Sequence, residues 1–145
     1  LTRGAAMIDE RIWTIMQRRL RYSDEEQARF RADARNERVL ARASELGKIQ
    51  FVIEIVEAHG CNSRHAKGDR IYIDGYGNLI KDKNPDKICI FLIGQAQGLV
   101  FAAQEMLYAG IDPNEMKFRR TGCIDVGLGC GGWGKVIMEF SAVKA

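Results

Sequence analysis

The stretch Ile49-Gln-Phe-Val-Ile-Glu-Ile-Val56 decides the fold of the second part of this chain. Large apolar side chains recur at every second position from Ile49 to Ile55, which is the period of a β-strand. Two valines make the opposite face partly apolar as well. The pattern therefore predicts a strand that begins at about Ile49, and Gly47 just before it marks a boundary in the chain.

The sequence after this strand predicts the rest of a small, mainly antiparallel sheet. We expect a second strand at residues 70–74, a turn at residues 75–78 and a return strand that begins at Leu79. A short strand at residues 116–120 and a closing strand at residues 135–143 complete the expected pattern.

One long helix is expected between the second strand and the third. The segment Asn84-Pro85-Asp86 is a typical helix start, because proline fits the first helical turn and Asn or Asp can cap it. The helix is predicted to span residues 86–109 and to end at Gly110. Together these elements predict an α+β fold in which the small sheet packs on this long helix.

The first part of the chain is expected to be a helical arm. Apolar residues recur at helical spacing over residues 7–20, and Ser23 with Glu26 matches a capping box for a second helix over residues 24–46. We therefore assign residues 1–48 to a two-helix N-terminal arm and residues 49–145 to the α+β domain. The apolar stripe on the second helix is thin, so the arm either packs against a partner or second copy, or folds over its own domain.

The excess positive charge of the chain lies in this arm. The net charge is +3, and residues 1–48 hold eleven Lys or Arg against eight Asp or Glu, whereas residues 49–145 hold eleven of each. Ten of the eleven cations in the arm are arginine, which suits carboxylate partners and protein interfaces. The excess is too small for a typical nucleic-acid binder. The absence of an apolar leader, and the two glutamines that interrupt the apolar stretch 88–103, favour a cytoplasmic protein without a membrane span.

Four cysteines stand out as candidate ligands: Cys61, Cys89, Cys123 and Cys130. No Cys-x2-Cys pair is present, so a zinc ribbon is not indicated. Their settings are a loop, the first turn of the long helix and a glycine-rich loop at residues 122–134, where amide N–H groups can stabilise thiolates. Three interpretations stay open: a shared zinc or [4Fe–4S] site, unligated structural cysteines, or a catalytic or redox thiol. Disulfides are disfavoured by the cytoplasmic assignment.

Other polar residues near the cysteines are candidates for proton transfer or metal binding. His65 follows Cys61 in a Cys-x3-His arrangement and is a candidate ligand or general base, and His59 is a weaker candidate. Asp125 lies two residues after Cys123 and could orient a ligand or substrate, whereas Asp69 reads better as a turn carboxylate. The glycine-rich loop matches nucleotide-binding motifs only formally, because a strand rather than a helix is expected after it.

The order Cys61-x3-His65-x2-Gly68-Asp69, then Cys89, then Cys123-x-Asp125 resembles a family of short uncharacterised prokaryotic proteins. Those proteins commonly read Cys-Pro-x-Gly-His-x-x-Gly-Asp, then Ile-Cys or Leu-Cys at a helix start, then Cys-Pro-Asp before a last strand. The resemblance covers about residues 50–142, and members often occur in anaerobes, which implies an oxygen-sensitive cofactor. This chain lacks the two prolines and adds Cys130, so the resemblance leaves open whether three or four thiolates meet.

These observations lead to one leading expectation of function and two alternatives. We expect a small metal- or iron–sulfur-binding subunit of a larger, anaerobic metabolic enzyme, with the four cysteines and His65 as candidate ligands. The arginine-rich helices would dock the partner protein or form a homo-oligomer. The alternatives are an enzyme that uses a cysteine thiolate with His65 as base, and a non-catalytic interaction domain. The sequence indicates no substrate.

Overall fold

The computed structural model describes residues 8–145, so the part of the first predicted helix that precedes Ile8 lies outside the described residues. The chain divides into two compact units, with the division between Glu45 and Leu46. The sequence places the boundary three residues later, after residue 48. Each unit has its own buried residues, and each is described by itself below.

The described residues of the N-terminal unit form α1 (Glu10–Leu20), α2 (Asp24–Ala32) and α3 (Ala34–Ala41), followed by a short helix at its boundary. The predicted capping box is present, because the Ser23 hydroxyl accepts from the Glu26 amide while the Glu26 carboxylate accepts from the Ser23 amide. The rings of Trp13 and Phe30 meet edge to face, with 5.8 Å between their centroids. This aromatic contact joins α1 to α2 and supplies part of the unit's small apolar core.

The arm is helical as expected, and its second predicted helix is interrupted. Residues 24–46 form α2, α3 and a short α4 (Ala43–Leu46) instead of one helix. The break lies at Asp33, whose backbone is extended and whose side chain accepts a hydrogen bond from the Arg35 amide. An aspartate that caps the next helix competes with continuation of the previous one, which is why the helix stops there.

The second unit contains a four-stranded antiparallel sheet of β1 (Ile49–His59), β2 (Arg70–Asp74), β3 (Arg120–Val126) and β4 (Lys135–Lys144). The strand order is β2-β1-β4-β3, so β1 and β4 form the centre. One long helix, α5 (Ile90–Tyr108), packs against the sheet. The α+β class with a small antiparallel sheet on one long helix is therefore confirmed.

The core lies between one face of the sheet and α5. It is built from alternate residues of the strands and from helix positions three or four apart. Phe51 of β1 and Phe140 of β4 are fully buried, with 5.6 Å between their ring centroids. The helix contributes the buried residues Leu92, Ala96, Val100 and Ala103. By length and composition α5 could also cross a membrane, but core helices pass the same test, and this stripe packs on the sheet.

Three of the predicted element boundaries are wrong. The helix begins at Ile90 rather than residue 86, because Asn84 bonds the edge of β2 with its side chain instead of capping a helix. The expected return strand is reduced to a single bridge between Leu79 and Ile73. The third strand spans Arg120–Val126 rather than residues 116–120, so it includes the first part of the expected glycine-rich loop.

Candidate functional site

The topology brings three chain segments together at one end of the sheet. The last residue of β1, His59, pairs with the first residue of β4, Lys135, and Lys135 also pairs with the last residue of β3, Val126. Cys61 follows the end of β1, Cys123 lies in β3, and Cys89 is the N-cap of α5. These three cysteines line one cavity of about 250 Å³.

Two glycines hold the walls of this cavity together by backbone contact. Gly60, with φ +62°, leads from β1 to Cys61, and its backbone lies against Trp133 and Gly134. A Cβ added at Gly134 would lie 2.5 Å from the His59 carbonyl oxygen and closer still to the Gly60 backbone. Only residues without a side chain permit this approach, so the glycine pair places Cys61 beside the loop that follows β3.

An irregularity in β3 turns additional side chains toward the cavity. Gly122 pairs with Ile137, and the next pair joins Val126 to Lys135, so three residues of β3 face one residue of β4. Successive side chains of a regular strand point to opposite faces, yet Cys123 and Ile124 both line the cavity. Bulges of this kind re-aim side chains and are frequent near functional sites.

Asp125 fixes the loop that follows β3. Its carboxylate accepts hydrogen bonds from the amides of Gly127 (3.0 Å), Trp133 (3.1 Å) and Gly134 (2.9 Å). These amides, with Gly127 contributing most, hold the pKa of the Asp125 carboxyl below its usual value. With its carboxylate engaged in this way, Asp125 organises the loop that carries Trp133.

Cys89 has the most distinctive chemical setting of the three thiols. The Ser63 side chain makes the largest contribution that lowers the pKa of the Cys89 thiol. Partial burial acts in the opposite direction, and the amides of Leu92 and Phe91 at the start of α5 lower the pKa further. The Cys89 side chain forms no capping hydrogen bond with these amides. They act on the sulfur through the partial positive charge at the N-terminus of the helix. The thiolate form is therefore easier to reach here than in an unperturbed cysteine.

The His65 side chain holds the backbone of Cys89 in place. The Cys89 amide donates to His65 Nε2 at 3.3 Å, and His65 Nδ1 lies 3.7 Å from the Asp69 carboxylate. The imidazole is largely buried, with 8% of the side chain exposed, and it is not among the residues that line the cavity. Because its Nε2 accepts from the Cys89 amide, His65 positions the start of α5 in this arrangement.

The remaining sequence candidates lie away from the cavity lining. Cys130 is exposed in a short 3₁₀ helix, Leu128–Cys130, and does not line the cavity. His59 ends β1 and is exposed. Asp69 accepts from the Ala66 amide at 2.9 Å, which is the turn role expected for it. The four cysteines are free thiols, but they do not form one group.

The donors that could hold a cofactor are thus Cys61, Cys89 and Cys123, which share a cavity. Within residues 8–145, no three or more His, Cys, Asp or Glu side chains converge closely enough to hold one ion as they stand. The chemistry of the donor set nevertheless fits soft metals, because three thiols are the ligands that zinc and iron–sulfur clusters prefer.

Sequence reasoning missed several residues of the cavity. Ser63 was not singled out, although it lies two residues after Cys61 in the same loop. Trp133 lies in the glycine-rich loop, where the sequence allows it to close over a site or to cap the core, and it is 69% exposed and lines the cavity. Phe91 was predicted only as part of the long helix, although its side chain is 60% exposed. Only the bend of β3 and the start of α5 bring these residues together, and neither is visible as a motif.

Comparisons with protein-family models, with curated proteins and with solved structures give no match for this chain.

Proposed function

We propose that the cavity at the end of the sheet binds a thiolate-ligated metal centre, an iron–sulfur cluster or a zinc ion, through Cys61, Cys89 and Cys123. The observation that carries this proposal is that three cysteines from three separate elements line one cavity. A volume of about 250 Å³ has room for either a zinc ion or a cluster. When bound, such a centre would supply electron transfer or Lewis acidity.

The protein's own residues would prepare the ligands. Ser63 and the start of α5 favour the thiolate form of Cys89, which is the form that binds metal. His65 holds the Cys89 backbone, and Asp125 holds the loop beside Cys123. Cys130 lies outside the cavity lining, so Cys61, Cys89 and Cys123 would hold the centre and would leave a position open for a further ligand.

The proposed biological role is that of a cluster-carrying subunit in a larger, anaerobic metabolic enzyme of the cytoplasm. The N-terminal unit supports a docking role, because Arg11, Arg18, Arg21 and Arg38 are exposed on it, together with Ile15. Exposed arginines beside an apolar side chain are typical of protein interfaces. The partner is either a second protein or another copy of this chain.

Anaerobic reconstitution with iron and sulfide, or with zinc, tests the metal proposal. Iron, zinc and sulfide contents are measured together with the visible and electron paramagnetic resonance spectra. Cys61→Ser, Cys89→Ser and Cys123→Ser should each remove most of the bound metal, and Cys130→Ser is the matched control that should retain it. Wild-type protein that stays metal-free but folded would contradict the proposal.

A second candidate function is favoured by the pKa of Cys89. A thiol whose pKa is lowered at a helix start is a candidate nucleophile, and Ser63, rather than His65, faces its sulfur. Alkylation of the metal-free protein at neutral pH separates the two functions. Rapid modification of Cys89 alone, together with failure to bind metal, would favour the thiolate enzyme.

A further inference from the structure

The mouth of the cavity carries three large apolar side chains that the metal proposal does not use. Phe91 is 60% exposed, Ile124 is 65% exposed and Trp133 is 69% exposed, and all three line the cavity. They come from the first turn of α5, from the irregular part of β3 and from the loop after β3. Exposed apolar surface that surrounds a cavity is typical of a ligand-binding site.

Trp133 is held in its exposed position by a fixed backbone. Its amide donates to both carboxylate oxygens of Asp125 at 3.1 Å, and Gly134 beside it packs against Gly60. On its other side, a Cβ on Gly132 would collide with the Asp125 carboxylate. The indole is therefore presented at the mouth by a well-defined loop, and the fold does not bury it in the core.

The opposite wall is equally fixed. Phe91 is the second residue of α5, and the helix start is tied to the loop after β1 by the Cys89–His65 hydrogen bond. Ile124 reaches the cavity only because the pairing of β3 with β4 is irregular between Gly122 and Val126. Three independent elements thus turn apolar side chains toward one opening, behind which lie the thiols.

We propose that this opening binds a small organic ligand whose aromatic or branched apolar body lies against Phe91 and Trp133 while one donor group reaches the thiol-lined interior. The donor-group part rests on the proposed metal centre, whose open position the donor would occupy. A volume of about 250 Å³ lies just below the range of roughly 300–1,000 Å³ for drug-sized ligands, so one ring with a short substituent fits. Asn62, Ser63, Asp125 and Lys135 supply the polar part of the lining.

The ring-binding part is tested on the metal-free protein with benzyl mercaptan under reducing conditions, and 2-mercaptoethanol serves as the comparison that has the donor but no ring. Binding is followed by the amide and indole N–H resonances of Trp133 and by its fluorescence. Benzyl mercaptan should bind at least about tenfold more tightly, because only its ring removes apolar surface from water. Trp133→Ala and Phe91→Ala should each weaken it roughly fivefold.

Phe101→Ala is the matched control, because Phe101 lies on the same helix as Phe91 and is 62% exposed but does not line the cavity. Equal binding of the two thiols, or an equal loss in the Phe101 variant, would overturn the ligand site even if the metal binds. In the iron-loaded protein, benzyl mercaptan should shift the cluster spectrum, and an unchanged spectrum would overturn the donor-group part. Failure to load any metal overturns the proposed function and leaves the ring-binding result to decide the site.

Discussion

At the scale of single residues, Ser63 is the main influence that lowers the pKa of the Cys89 thiol. A hydrogen bond from its hydroxyl stabilises the thiolate more than the neutral thiol, so it lowers the pKa. The thiolate is the form that alkylates, and a lowered pKa moves the rise in reactivity to lower pH. Without the hydroxyl, the helix start still acts on the sulfur, so part of the shift should remain.

Ser63→Ala should therefore raise the pKa of Cys89 and move its alkylation profile to higher pH. Because the thiol is only partly buried, solvent weakens the interaction, so we expect a small displacement. The rate of iodoacetamide modification at Cys89, followed by mass spectrometry on metal-free protein, measures it. Asn62→Ala is the control in the same loop, and an identical profile for Ser63→Ala and wild type would contradict the assigned role.

Gly134 is the second residue whose identity the structure requires. Gly134→Ala would place a methyl group against the His59 carbonyl oxygen and the Gly60 backbone, so the two loops must separate. Overpacking of this kind costs about 1–3 kcal/mol of unfolding free energy. Urea denaturation measures the loss, and Gly129→Ala is the matched control because nothing lies within 4 Å of its added Cβ. Equal stability of the two variants would argue against the close backbone contact.

At the scale of elements, the outer edge of β2 is closed by a side chain. The Asn84 side chain accepts from the Tyr72 amide at 2.7 Å and donates to the Tyr72 carbonyl at 2.7 Å and the Ile80 carbonyl at 3.0 Å. An amide side chain with this geometry takes the place of a neighbouring strand. The segment before α5 is fixed to the sheet in the same way.

Asn84→Ala should loosen this segment and destabilise the second unit by about 1 kcal/mol, because water replaces the lost hydrogen bonds only in part. Amide hydrogen exchange at Tyr72 should become faster, and the exchange of central residues such as Phe51 should change much less. Asn62→Ala, in an exposed loop, controls for removal of an amide. Unchanged protection at Tyr72 would show that the edge does not depend on Asn84.

The regular elements were largely predictable, because their patterns are local. Strand β2 was predicted with its observed bounds, and β4 was predicted to within one residue. The break at Asp33 was missed, since a capping aspartate inside a polar helix gives a weak signal. The site was predictable in residue types but not in grouping, because the separation of Cys130 from the other thiols depends on the pairing of β3 with β4.

At the scale of the whole molecule, the cavity and the main core belong to one unit. Every buried residue of the main cluster and every residue of the cavity lining lies after Leu46. The turn at Gly75 packs on the backbone of Leu46, and the Ala145 amide donates to the Lys48 carbonyl at 2.9 Å, so both ends of this unit are fixed within it.

A fragment of residues 43–145, which keeps α4 intact, should therefore fold without the N-terminal helices. We expect one cooperative thermal transition and preserved selective alkylation of Cys89, because the groups that act on that thiol are all retained. Circular dichroism and mass spectrometry measure both. A broad, non-cooperative transition would mean that the second unit depends on the first for its stability.

The close backbone contact between Gly60 and Gly134 preorganises the cavity. Small zinc domains fold only when metal is bound and unfold when a chelator removes it, since metal binding supplies their folding free energy. Here the paired strands and the contact between Gly60 and Gly134 hold the cavity walls in place. The fold that positions the thiols therefore does not depend on a bound metal. Little conformational entropy is then lost when a metal centre or a small ligand binds. A chelator should remove the metal while the protein stays cooperatively folded, with a lower melting temperature because the native state loses the stabilisation that bound metal gives.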